Sequence, residues 1–165
     1  GRVHPVAWHP HMAIAREHGI DDVVAECWRV MAQIAAGRSD HDVAAQHIAA
    51  SLRLWHEHGG FDGALRAMDG WCYVRMAAGD VAAAITMLTA VDHQRAKRGA
   101  KGPAPEEQLV RRVRDLASSP LGPDELAACR RQGHDFDLDT MWRTVRGAGT
   151  GEREPAVAPA RNASA

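Results

Sequence analysis

Ala35-Ala36-Gly37-Arg38-Ser39-Asp40-His41-Asp42-Val43-Ala44-Ala45 is the stretch on which the fold turns, because both of its ends return as Ala77-Ala78-Gly79-Asp80-Val81-Ala82-Ala83. Working outward, Arg16-Glu17-His18-Gly19 comes back as His56-Glu57-His58-Gly59, with Arg95-Ala96-Lys97-Arg98-Gly99 as a weaker third echo. The interval is about 40 residues, and alanine-rich repeats of that length punctuated by glycine are the sequence form of stacked helix pairs. The pattern predicts an all-α chain of antiparallel helix pairs, an architecture that binds or connects other molecules.

Composition agrees. With 165 residues the chain can bury one good core or an elongated one shared along stacked pairs. Alanine is abundant and β-branched runs are almost absent, which favours helix over strand. A formal net charge of -1 gives no general attraction to nucleic acid or to an anionic membrane, although ten histidines would turn the chain cationic near pH 6. The three cysteines, Cys27, Cys72 and Cys129, lie far apart and form no C-x-x-C pair, so they are expected to be reduced, buried thiols of a cytoplasmic protein. No apolar run approaches the ~20 residues of a membrane span, and no secretory signal is visible.

Residues 1–11, interrupted by Pro5 and Pro10, read as a leader or linker. Residues 12–98 read as the helix pairs. Ala13 to His18 is the end of one helix, stopped by Gly19. Asp21-Asp22 opens the next, whose Val24, Trp28, Met31 and Ala35 make one face, and Gly37 ends it. A helix from the Ser39–Asp42 cap cluster to His58 carries Ile48, Leu52 and Trp55 and breaks at Gly59-Gly60. The helix from Phe61 to Ala78 carries Leu65, Met68 and Cys72, with Trp71 and Val74 beside them. After Gly79-Asp80, Val81, Ile85, Leu88 and Val91 stripe a helix ending near Arg98. Residues 99–147 read as a helical cap: a loop to Pro105, a helix from Glu106 to Leu116, a short helix from Pro123 to about Arg131 closed by Gly133, and a last amphipathic helix with Leu138, Met141, Trp142 and Val145. Residues 148–165 lack any apolar period and are expected to be disordered.

Leu54 to Gly59, the small-residue helix after it, and Ala77-Ala78-Gly79-Asp80 before an alanine-rich helix are together similar to tetratricopeptide-type repeats. From Gly79 to Val145 the ordered series is narrower: a Gly-Asp turn, an alanine-rich helix, a basic helix end, a loop from Gly99 to Pro105, an acidic helix start, a short helix and a last amphipathic helix. That series resembles the C-terminal tetratricopeptide region of actinobacterial STAND-type ATPases and LuxR- or SARP-type transcriptional regulators. The resemblance runs over about Met12 to Arg146. Two departures are a non-aromatic short helix, Leu126 to Arg131 with Cys129, and an added proline in the linker Ser118 to Gly122. The resemblance implies a tetratricopeptide-like right-handed superhelix with a C-terminal helical cap, and a protein–protein interaction module of a bacterial signalling or transcriptional regulator. It implies self-association, including a homodimer, or partner sensing, and it supplies no catalytic residue, cofactor or metal. The nucleotide-binding part of such an ATPase is expected outside this sequence, which has no phosphate-binding glycine loop.

Among individual residues, Trp28, Trp55 and Trp71 are the candidate binding anchors, with Arg53, Arg66 and Arg75 near them to pair with an acidic partner motif. Packing between helices is the competing reading of the tryptophans, and a solvated face that of the arginines. A pocket lined by the three tryptophans would instead make the chain a small-molecule effector sensor. His56 and His58 are two apart on a helix and cannot share a metal, whereas His4, His9 and His11 could chelate adventitiously. An enzyme reading needs His47, His56 or His93 gathered with a carboxylate in a cleft, and the adjacent Asp92-His93 face different ways on a helix. The basic run Arg95, Lys97, Arg98 and Lys101 complements a helix C-terminus without calling for direct nucleic-acid contact.

Overall fold

The computed structural model describes residues 8–99 and 120–147, and within them the chain is all-α, with seven helices and no strand. In chain order these are α1 (Trp8–Glu17), α2 (Asp21–Gly37), α3 (His41–His58), α4 (Phe61–Ala77), α5 (Val81–Lys97), α6 (Pro123–Asp135) and α7 (Leu138–Gly147). The helix expected over 106–116, most of the loop before it and the tail after 147 lie outside the described residues. The supposed leader is helical from Trp8, and Met12 is fully buried in the structure.

The repeat is set by its turns. Left-handed backbone occurs at Gly19, Ser39, Gly59, Gly79 and Gly99, with φ of 65°, 63°, 73°, 89° and 64°, at intervals of 20 residues. Two such helix-turn units make the 40-residue repeat. The sequence matches that announced it are out of step with it. Gly79 corresponds in structure to Ser39, not to Gly37, which is still helical, and Asp80 corresponds to Asp40, not to Asp42. Only Asp80 of that pair caps with its side chain, accepting the Ala83 N–H at 3.3 Å; the Asp40 side chain makes no cap bond. Serine carries no glycine-like freedom at positive φ, so the turn at Ser39 holds a residue that strains to adopt it.

Successive helices pack as antiparallel neighbours, α2 on α3, α3 on α4 and α4 on α5, and α2 also meets α4. Helix α4 is therefore buried on most of its circumference, from Gly63 to Val74. This is why its apolar residues do not form a single clean stripe. The main core runs through α2 to α5 with Ile48, Leu52, Leu65, Met68, Met87 and Val91, and it includes Met141 and Val145 of α7. A second cluster joins α1, α2 and α3 around Met12, Val24 and Trp28. A third, of Ile85 and Cys129 with Leu126, joins α5 to α6. Helix α5 thus has two buried sides, one of which the sequence stripe did not separate.

Glycine sets two of the closest approaches. Gly133 does not end α6, as the sequence suggested, but lies inside it, where an added Cβ would stand 2.1 Å from the Thr86 carbonyl oxygen of α5. Gly60 and Gly63 form a flat bed for the Trp55 indole, and a Cβ at Gly63 would fall 2.4 Å from Trp55 Cη2.

Candidate functional site

The three candidate tryptophans are core residues, and they sit in different places. Trp28 is 0 % exposed in the α1–α2–α3 cluster, 4.9 Å from the His47 ring, with the Arg16 guanidinium 5.7 Å from its centroid. Trp55 is 9 % exposed on its glycine bed, and Trp71 is 4 % exposed with Arg75 over its ring at 5.7 Å. Trp55 and Trp71 belong to the main core and Trp28 to the second cluster, so their area is spent on holding helices together.

The arginines follow suit. Arg75 forms an ion pair with Asp80 and so ties the end of α4 to the cap of α5. Arg66 lies 3.7 Å from Glu26, which also holds Arg29 at 2.8 Å, bracing α4 against α2. Arg53 is half-buried on α3. Inside the bundle, Asp69 of α4, only 6 % exposed, is ion-paired with Arg95 of α5. The basic residue read as a helix-end charge is therefore a core partner.

Two features remain that could receive something. The first is a cleft of about 730 Å³ between α5 and α6, lined by Thr89, Asp92, Arg130, Arg131, His134 and Asp135. His134 also meets His93, ring centroids 4.1 Å apart. Thr89 donates its hydroxyl to the Ile85 carbonyl at 2.9 Å, so it is held within its own helix. His47, His56 and His93 fall at three separate places, against Trp28, Trp142 and His134 respectively. Among the described residues no group of three or more His, Cys, Asp or Glu side chains is placed to hold a metal ion. Cys27, Cys72 and Cys129 are buried free thiols, and burial first, then the carboxylates of Glu26 and Asp69, raises the pKa of Cys27 and Cys72 respectively. Thiols so shifted are protonated at neutral pH and are poor nucleophiles.

The second feature is the seam between α3 and α5. Helix α7 touches both and fills the space between them with Met141 and Val145, while half-buried Trp142 stands edge-on to His56 at 4.7 Å. Asp137 starts α7 by accepting the Thr140 N–H at 2.7 Å, and these bonds to Thr140 hold its carboxyl below the ordinary carboxylate value. Trp142 and His56 are the pair that sequence reasoning did not bring together. The apolar spacing of α7 was visible, but nothing along the chain says which helices receive it.

Two histidines are held toward their neutral form. Burial, then His9, lowers the pKa of His47 against the opposing pull of Asp40; desolvation, then His134 and Lys97, lowers that of His93. A histidine whose folded pKa is lowered contributes stability that is present above its ordinary value of 6.5 and is lost as pH falls through the folded value. Thermal melts should therefore drop as pH falls below 6.5, and the double variant His47→Gln/His93→Gln should flatten that dependence.

Comparison with protein-family models, with curated proteins and with solved structures finds no match to this chain. No helix among the described residues is long and apolar enough to cross a membrane.

Proposed function

We propose that the chain is a protein–protein interaction module of a bacterial signalling or transcriptional regulator, acting in the cytoplasm without turnover through self-association or partner sensing. The observation that carries this reading is the seam between α3 and α5, which accepts an amphipathic helix with apolar residues at i, i+3, i+4 and i+7. Helix-in-groove binding uses that spacing. The contact of α2 with α4, each the first helix of a pair, supports stacking in the tetratricopeptide manner, though the 40-residue period set by the turns is longer than the ~34 residues usual for that repeat. The right-handed superhelix belongs to this proposal.

The test is a titration on the full chain. Met141→Asp should unseat α7, and a labelled peptide of residues 138–147 should then bind saturably, while a scrambled peptide should not. Absence of saturation up to about 1 mM, where binding is worth only about 4 kcal/mol, would refute the groove.

A second reading, small-molecule effector binding, is favoured by the cleft at α5 and α6, whose Arg130, Arg131 and His134 suit an anionic group. It would not use the tryptophans. A rise in melting temperature with anionic metabolites, lost in Arg130→Ala/Arg131→Ala, would support it, and no rise in any of them would exclude it.

A further inference from the structure

Helix α7 is seated by apolar contact. Met141 and Val145 are 0 % and 2 % exposed, and Leu138 and Trp142 are half-buried beside them. The polar side chains of α7 turn back on the helix itself. Arg143 bonds to Asp139 and Thr140, Thr144 to the Thr140 carbonyl, and Arg146 to the Trp142 carbonyl; among the described residues none reaches α3 or α5. The polar tie to the array lies at the hinge, where Gln94 Nε2 donates to the Phe136 carbonyl over a long 3.5 Å. That hinge is Phe136-Asp137, with Phe136 extended at φ -69° and ψ 124°. Helix α6, by contrast, is locked to α5 through Gly133.

We propose that α7 is exchanged between copies of this chain, the groove between α3 and α5 of one protomer receiving Leu138–Gly147 of another. The proposal rests on the reading of that seam as a helix-receiving groove, and it names the occupant. The groove already fits this set of side chains, so a second copy reproduces every contact with only the hinge changed. Apolar packing and the edge-on Trp142–His56 contact link α7 to its seat. Phe136 is anchored by the long Gln94 bond, by its own N–H bond to the Gly133 carbonyl at 3.3 Å and by packing on the core. Rotation at Asp137, just beyond that anchor, is therefore the smallest change that opens the groove. A net charge of -1 puts little long-range repulsion between copies.

Two full-length variants test this, one carrying His56→Cys and the other, tagged, carrying Trp142→Cys. They are mixed and treated with a short bismaleimide, the native cysteines being buried. The expected product is a mixed species of twice the 17.9 kDa chain mass. Its yield should rise with protein concentration and increase several-fold when Gln94→Ala is added to both chains. Arg38→Cys in place of His56→Cys, at an exposed turn, should give far less. If Trp142→Cys does not fold, Arg143→Cys on the same helix replaces it. Exchange is overturned if the mixed chains give no more product than the Arg38→Cys pair while a single chain carrying His56→Cys/Trp142→Cys cross-links within itself. In that case saturable binding of the 138–147 peptide to the Met141→Asp chain would still uphold the groove, and loss of both results would remove the groove reading as well.

Discussion

Replacing Arg95 by methionine should cost the fold about 3 kcal/mol, the usual scale for removing one member of a buried ion pair. Asp69 is 6 % exposed within α4, and Arg95 reaches it from α5. Methionine keeps much of the arginine stem but leaves the carboxylate without its guanidinium, in a place where water cannot replace it. Chemical denaturation followed by circular dichroism should show the midpoint shift. In a chain of this size the melting temperature should fall by about 10 °C. The double variant Asp69→Leu/Arg95→Met should recover most of the loss, since the cost lies in an unmatched charge and not in the absence of the pair. A full loss that the second change does not repair would show that Arg95 acts mainly through packing.

Gly133→Val should detach α6 from α5. The new Cβ would meet the Thr86 carbonyl oxygen at 2.1 Å and the Thr89 Cβ at 2.8 Å, and a backbone oxygen inside a helix cannot swing aside. Overpacking of this kind costs about 3 kcal/mol. The reporter is Cys129, 6 % exposed on α6 where it packs against Ile85 of α5. If the cost is taken up by local opening, its labelling by a thiol reagent should accelerate about 100-fold, while Cys27 and Cys72 stay protected. Equal acceleration of all three thiols would mean that α6 does not open as a separate unit.

The all-helical class and most helix ends were legible in the sequence, because Gly19, Gly59 and Gly79 stand where left-handed backbone is needed. The left-handed turn at Ser39 was not, since serine does not announce positive φ and the nearby Gly37 is the last residue of α2. Gly133 misled for the related reason that a glycine stopping a helix and a glycine admitting another helix look alike in one dimension. The tryptophans could be placed on apolar faces but not assigned to core or groove. Burial depends on which helix lies opposite, and for Trp55 the only local hint was the Gly60/Gly63 pair just downstream. The α5–α6 cleft and the seat of α7 depend on contacts between segments 40 or more residues apart, which single-chain periodicity does not encode.

The even spacing of the turns has a consequence for how such a chain tolerates changes of length. Each unit reverses the chain, so Gly19, Gly59 and Gly99 share one edge of the array, where His58 pairs with Asp21 at 3.1 Å and Arg98 lies over Phe61 at 3.5 Å. Ser39 and Gly79 mark the opposite edge, about 25 Å away along helices of 17 residues. A domain spliced in at Gly59-Gly60 would emerge on one side and the same domain at Gly79-Asp80 on the other. Inserting one helix-turn unit would invert the direction of everything that follows, whereas inserting two would restore it. Growth of such an array is therefore governed by parity.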